Sequence, residues 1–418
     1  MLADETATQH PQLQSLLRDH LHTEFTELAG LIPFQTTPTM LIPDHPSPFP
    51  RLGSGEGAIE RLHWRIVDAG GRVVKGRVTD LLVTDGICHG VSYVGADGPN
   101  TIGSTAVVVA TGGYSGLLPY SHTANSAAML GVFAAAGGRL TNLEFSQRHA
   151  LGDLTAGRIL YPPDLEGATL FRGDEEASWL THAYATIDDQ RRDLEIFQKY
   201  WRHNAHVPHR LERGFERHAL GPIYGLSMGG VEHVGGATTL DGVYVTGEAR
   251  HDIAADAIIG RPWAIYLASS GHLARVLKDV PTRPEIRPHT EPVPYSPGHR
   301  ALRTKVRHRL MAFEDHLFST AAAESFVDWC RATRRELPPE HKTDIGVIIL
   351  AEAYALSALA RRESRGYFYR PDYPQSDPTF TGLRTRAAFD RDDDIVRVDL
   401  VPNHSVIGPA QSLTAASA

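Results

Sequence analysis

Cysteine is nearly missing from this chain, with only Cys88 and Cys330 in 418 residues. Two distant thiols cannot build a disulfide framework, a four-cysteine zinc site or an iron–sulfur cluster, and they read as reduced cysteines. Excess positive charge is missing too. Lys and Arg number 41 against 49 Asp and Glu, for a formal charge of −8. That balance excludes a phosphate-backbone binder and a polybasic attachment to anionic lipid. Long apolar runs are also scarce. AVVVA and GVIILA are the longest, well short of the ~20 residues of a membrane span. The opening MLADETATQHPQLQ lacks the basic region and apolar run of a signal peptide. The expectation is a soluble, cytoplasmic protein. A nucleophile elbow, a Walker loop and an H-E-x-x-H zinc motif are absent.

What is present suits a globular protein of two or three domains, with 42% hydrophobic residues. Residues 12–30 place Leu13, Leu16, Leu17, Leu21 and Phe25 near the helical period. A Pro- and Thr-rich loop runs from Leu31 to Pro50. GEGAIERLHWRIVDAGG puts Ile59, Leu62, Ile66 and Val67 on one helical face, and Gly70-Gly71 end it. Three β-rich runs follow: RVVKGRVTDLLVT, GICHGVSYV and STAVVVATGG. In the last, apolar residues are consecutive from Ala106 to Ala110, as in a strand buried on both faces of a parallel sheet. Its terminal glycines allow a sharp turn or a close approach to a ligand. Residues 126–137 predict an Ala-rich helix. Residues 150–222, rich in charge and His, predict an inserted cap and not a sheet. The sheet pattern returns in SMGGVEHV and GVYVTGE, a helix is expected around 262–278, and prolines from 281 to 297 mark a linker. Helices are expected from His299 to about Arg365. His203, His206 and His209 have metal-like spacing, but Pro208 breaks any helix that would align them, and no metal site is expected.

Four segments, in order, resemble the FAD-dependent fumarate reductase, succinate dehydrogenase and L-aspartate oxidase superfamily. AVVVATGGYSG is similar to its strand that ends in ATGG against the flavin. AAAGGRLTNLEFSQRH is similar to the aspartate-oxidase stretch of a helix followed by NLEF-x-Q-x-H. MGGVEHVGGATTLDGVYVTGE resembles the return to the FAD domain, and ALARRESRGYFYRPDYP resembles the C-terminal ESRG signature. The resemblance covers about residues 12 to 375 and is nearest to L-aspartate oxidase. It implies an α/β fold: an incomplete Rossmann-like FAD domain with an inserted α+β cap and a C-terminal helical domain. The implied boundaries are 1–145 and 223–280 for the FAD domain, 146–222 for the cap, 281–297 for the linker, 298–372 for the helical domain and 373–418 for a tail.

The resemblance also implies site residues. Thr111, Gly112, Gly113, Gly247 and Glu248 fall where the family holds its flavin. A glutamate after a buried strand suits a ribose or ribityl hydroxyl. A strand-end surface Glu and an ordinary strand-to-loop turn are the bland alternatives. His149 is the candidate catalytic residue, contacting substrate or flavin; the alternative is a structural histidine at the cap hinge.

The sequence departs from the family in several places. No strand, G-x-G-x-x-G turn and helix occurs in residues 1–50, so the unit that holds the FAD pyrophosphate is not there. Gly53 to Gly57 follows a Pro-rich loop and is a poor substitute. Gly225 stands where the family has a histidine, and Ala257 where it has a dicarboxylate-binding arginine. Arg261 lies one helical turn further on. Arg191 and Arg192 are the nearest candidates for the cap's proton-shuttling arginine. The expectation is therefore an FAD-dependent oxidoreductase acting on a small molecule other than the family dicarboxylates, with FAD completed either by a flavoprotein partner subunit that carries the missing unit or by an upstream βαβ unit hidden by a mis-set start. The alternative is a non-catalytic accessory subunit that stabilises such a partner.

Overall fold

The structure is a computed structural model that describes residues 11–31, 34–36, 41–43, 53–123, 125–185, 191–204, 206–250, 261–281, 292–314 and 318–402. The centre of the fold is a parallel pair. Val107–Val109 lies beside Val243–Val245 in parallel register, Val109 opposite Val245. Two short antiparallel strands, Ala237–Thr238 and His233–Val234, extend that sheet on one side, and Val107–Val109 forms its other edge. Arg77–Thr84, Ile87–Gly95 and Gly98–Gly103 form a separate antiparallel meander. It joins the parallel pair where the Cys88 N–H donates to Asp241 O.

The expected strand over RVVKGRVTDLLVT is only half formed. Regular pairing starts at Arg77, and residues 72–76 are not in a strand. Strand conformation is held by ladder partners, and among the described residues this stretch has none.

The helices follow the sequence closely. Pro11–Leu31 packs on Arg261–Lys278 through Leu16, Ile265 and Ala268. Gly53–Asp68 forms a helix whose first turns contain the Gly53–Gly57 run. Ala128–Ala135 crosses Lys342–Ala360 at a glycine pair: a Cβ on Gly131 would sit 2.4 Å from the backbone of Gly346, and one on Gly346 would sit 2.6 Å from Gly131. Only glycine at both positions lets the two backbones come so close.

Lys342–Ala360 corrects one expectation. It is long and apolar enough to cross a membrane, but most of it is buried inside the protein. A helix that is apolar all round is the core helix of a fold. His299–Glu314 and Thr320–Glu336 pack around it.

Residues 150–222 also differ from expectation. Instead of an irregular cap they contribute most of a six-stranded antiparallel sheet, with Ser146–Asp153 and Glu216–Ser227 at its heart. Their charged residues alternate with apolar ones, as in His209–Arg213, where His209 and Leu211 are buried and their neighbours are not. That is the pattern of antiparallel strands covered on one face. The short helices Ser178–Ala185 and Arg191–Ile196 complete this region.

The segment expected as a tail supplies two strands, Leu383–Asp390 and Ile395–Pro402. They pair as a hairpin, and the first also pairs with Leu140–Thr141.

Candidate functional site

The C-terminal ends of the parallel pair carry the candidate site. In open α/β sheets ligands bind at these strand ends. Val107–Val109 leads to Thr111, Gly112 and Gly113, and Val243–Val245 leads to Gly247 and Glu248. Thr111 is exposed. Gly112 and Gly247 have φ of 75° and 68°, a left-handed conformation that glycine adopts without strain. Gly113 is required for a different reason. A Cβ there would meet Ser227 Oγ at 2.3 Å and Glu248 Oε1 at 2.7 Å.

Ser227 holds the two loops together. Its hydroxyl accepts from the N–H groups of Tyr114 at 2.7 Å and Ser115 at 2.9 Å, and its own N–H donates to Glu248 Oε1 at 2.9 Å. Tyr114 is fully buried, and its hydroxyl donates towards the carbonyls of Leu143 and Phe145. Burial raises the Glu248 pKa, while hydrogen bonds from Ser227 and Gly113 and the nearby His122 partly offset the rise. A carboxyl in that condition takes up a proton more readily than an exposed one.

His149 lies on Ser146–Asp153, opposite Ile223. It is buried, and desolvation, helped by His122, lowers its pKa to about 3. At neutral pH the ring is therefore neutral, able to accept or donate a hydrogen bond but not to carry a ready proton. His122 meets it edge to face at 6.2 Å between centroids. The Nδ1 of His122 lies 3.1 Å from Tyr224 O. Gly225 explains itself here. A Cβ at this position would fall 2.7 Å from the His149 ring, so the glycine makes room for the histidine on the neighbouring strand. The structure thus brings Gly112, Gly113, Glu248, His122 and the His149–Gly225 pair into one neighbourhood.

Several candidates fall elsewhere. Ala257 lies outside the described residues, and the side chains of Arg261, Arg191 and Arg192 are likewise outside them. His209 turns inward, with Nε2 2.8 Å from Tyr200 Oη and Nδ1 2.7 Å from Val207 O, while His203 and His206 face solvent. Among the described residues no group of His, Cys, Asp and Glu is placed to hold a metal.

Sequence reasoning missed Ser227 and His122. The polar residue inside LSMGG was a usable signal for Ser227. His122 sits in a loop with no periodicity, and only the fold brings it to the site.

The ESRG segment braces the site from behind. Arg361 is buried between Glu144 at 2.5 Å and Glu363 at 3.0 Å. Glu144 also accepts from Thr385 Oγ1 at 2.6 Å. Glu363 accepts from Arg365 as well, and Arg370 pairs with Asp372 and caps the carbonyls of Ala358 and Leu359. This network clamps the end of the core helix to the segment that leads into the His149 strand.

Residues 345–407 match the family described as fumarate reductase flavoprotein C-term. Solved structures with the same fold include Mycobacterium smegmatis Sdh1 in complex with UQ1, at 16% identity and TM-score 0.69, covering 95% of this chain and 82% of that one. E. coli quinol fumarate reductase superposes with TM-score 0.71 at 16% identity, over 97% of this chain and 86% of that one. The chain has the fold of the succinate dehydrogenase and fumarate reductase flavoprotein superfamily, and its C-terminal segment carries that family's C-terminal domain. Adenosine-5-phosphosulfate reductase shares the fold, at 12% identity and TM-score 0.66, over 95% of this chain and 83% of that one. No curated protein sequence matches. Most of Lys342–Ala360 falls inside the matched segment, as do Arg361, Glu363, Arg365, Arg370 and Asp372 of the ESRG network, while Glu144 lies outside it. The hairpin Leu383–Pro402 also falls inside; it pairs with Leu140–Thr141 and is no appendage.

Proposed function

We propose that this flavoprotein-fold chain is a subunit of an FAD-dependent oxidoreductase whose substrate is not succinate, fumarate or L-aspartate. When bound, FAD supplies a hydride acceptor and donor at its N5. The observation that carries the reading is the latch of Ser227, Gly113 and Glu248 at the ends of the parallel strands. Glu248 Oε1 accepts the Ser227 N–H, and its other oxygen, Oε2, faces Gly112, where a flavin ribityl or ribose hydroxyl would meet it. The open space at Gly112 and Gly247 lets a ligand reach the backbone. These residues fit the flavin end of FAD. Among the described residues no G-x-G-x-x-G turn leading from a strand into an α-helix is present for its diphosphate.

His149 is then a neutral hydrogen-bonding group that orients substrate or flavin. The antiparallel cap sheet behind it excludes water, which strengthens every polar contact inside. The loss of side-chain bulk at Gly225 and of a guanidinium at Ala257 removes the usual means of gripping a dicarboxylate. A buried Arg–carboxylate contact is worth several kcal/mol, so the family substrates lose their hold.

The test is purification of the chain from its native host, with the flavin spectrum recorded on the intact assembly. We expect bound flavin that succinate, fumarate and aspartate leave oxidised or unaffected. Glu248→Ala should weaken flavin retention by about tenfold or more, as loss of a charge-assisted hydrogen bond costs ~1.5–3 kcal/mol. A flavin-free assembly that takes up no added FAD would remove the reading. Oxidised flavin bleached by succinate or aspartate, or reduced flavin reoxidised by fumarate, would instead restore the family substrate. A second reading, an accessory subunit without chemistry, is favoured by the same departures at Gly225 and Ala257. It predicts flavin held entirely by the partner and untouched by Glu248→Ala.

A further inference from the structure

The helix His299–Glu314 is basic on an acidic chain. It carries Arg300, Arg303, Lys305, Arg307 and Arg309, with Glu314 its only acid, while the formal charge of the chain is −8. Arg303 is half-buried. Its Nη2 donates to Asn125 O at 2.9 Å, and its Nε is buried with no partner. Burial, and Arg307 one helical turn on, pull the Arg303 guanidinium below the usual arginine range, with Tyr295 partly offsetting them. Among the described residues neither Arg303 nor Arg307 meets a carboxylate. A cation taken out of water without a counter-ion is costly. Elsewhere in this protein buried arginines are matched: Arg334, Arg361, Arg370 and Arg384 have Glu352, Glu144, Asp372 and Glu232 in turn. Arg303 departs from that rule.

A third cation arrives from another element. Arg77, at the start of the antiparallel meander, lies over the Tyr295 ring with its Cζ 4.8 Å from the centroid. It too has no ion pair among the described residues. Tyr295 therefore touches Arg77 and acts on Arg303. The framework around it is fixed. Thr79 Oγ1 donates to Val293 O, and the Val293 N–H donates to Ser92 Oγ, both at 2.7 Å. Ser296 Oγ lies 3.0 Å from Thr343 Oγ1. The His299 ring meets Tyr295 edge to face at 5.2 Å. The acid that enters this seam, Asp344, is held by His299 at 2.7 Å, so it does not serve the arginines.

We propose that Arg77, Arg303 and Arg307, gathered about Tyr295 where the meander, the linker end and the helix His299–Glu314 meet, form a binding site for a phosphate monoester. Guanidinium forks match phosphate oxygens through paired N–H···O bonds. An oxyanion that reaches the buried Nε of Arg303 satisfies a donor that otherwise carries the full cost of desolvation. The Tyr295 hydroxyl is a further donor. Three positive charges are met more fully by a dianion than by one carboxylate. A phosphate monoester is mostly a dianion at neutral pH, whereas a diester carries a single charge. None of these groups belongs to the latch of Ser227, Gly113 and Glu248, so the site stands apart from the flavin reading.

The test is isothermal titration of the purified full chain with inorganic phosphate, phenyl phosphate and diphenyl phosphate, and with acetate and chloride at matched ionic strength. We expect one phosphate or phenyl phosphate per chain, and no saturable binding of the diester, acetate or chloride. Arg303→Gln and Arg307→Gln should each weaken binding by about tenfold or more, the loss of a charge-assisted hydrogen bond. Arg77→Gln should weaken it as well, and it leaves the helix untouched, so a misfolded Arg303 variant does not decide the matter. Arg300→Gln and Lys305→Gln remove the same charge from exposed positions of the same helix and should leave the affinity unchanged. Phosphate heats no larger than those of chloride overturn the proposal. So does binding that survives both Arg303→Gln and Arg307→Gln, or equal weakening by Arg300→Gln and Lys305→Gln, the mark of diffuse attraction. A site that excludes phenyl phosphate, or takes the diester equally well, overturns the ligand assigned.

Discussion

The two ends of the parallel sheet's surroundings are built on opposite terms. Around the core helix Lys342–Ala360, the buried charged groups are paired. Arg361 has Glu144 and Glu363, Glu352 has Arg331 and Arg334, and His299 has Asp344 at 2.7 Å. Around Val107–Val109 and the helix Gly53–Asp68, apolar side chains are exposed, and among the described residues a ladder edge stays open. The first region is stable by its own contacts. The second has the composition of an interior without the neighbours of one. A protein of ordinary stability has only ~5–15 kcal/mol to spare, so the saturated region must carry the fold.

Substitutions should separate the two regions, and the clamp should respond most. Arg361→Ala leaves the buried Glu144 carboxylate without its cation and Glu363 with Arg365 alone, which costs ~3–5 kcal/mol. Urea unfolding of the variant should show that loss, and a change under 1 kcal/mol would mean the clamp is not the support described here.

His149 comes next. Its folded pKa of about 3 lies below the ordinary histidine value of ~6.5. Its contribution is therefore fully present above the unfolded pKa and is lost as pH falls towards the folded one. Between pH 7 and 4.5 that amounts to ~3 kcal/mol. His149→Gln should flatten the acid side of the stability curve by about this amount, and parallel curves for the two proteins would refute a neutral, buried ring.

Gly346→Ala presses a methyl into the backbone of Gly131 and should cost ~1–3 kcal/mol, read as a lower thermal midpoint. At the other extreme, Ile66→Ser on the exposed helix face should change the stability of the lone chain by no more than ~0.5 kcal/mol. A large loss there would show that the face is covered in solution after all, and the contrast between the regions would collapse.

Much of this organisation was legible in the residues themselves. Leu13, Leu16, Leu17 and Leu21 announce the first helix because a helical period places them on one side. The ATGG and TGE turns announce their strands because a sharp turn needs glycine at Gly112 and Gly247. The cap was misread because charge in a strand looks like surface until pairing shows which alternate residues point inward. The hairpin of residues 383–402 reads as a tail, and its second pairing, with Leu140–Thr141, joins segments too far apart in the chain to be read along it.

Residues alone were enough to place the long helices and the turns that must be glycine, since these depend on local periodicity and backbone freedom. Only the tertiary structure decided that Gly225 exists to admit the His149 ring, that Ser227 ties Glu248 to Gly113, and that the apolar strand Val107–Val109 is covered on one side alone. Those facts depend on distances between segments far apart in the chain, and a pattern read along one dimension does not contain them.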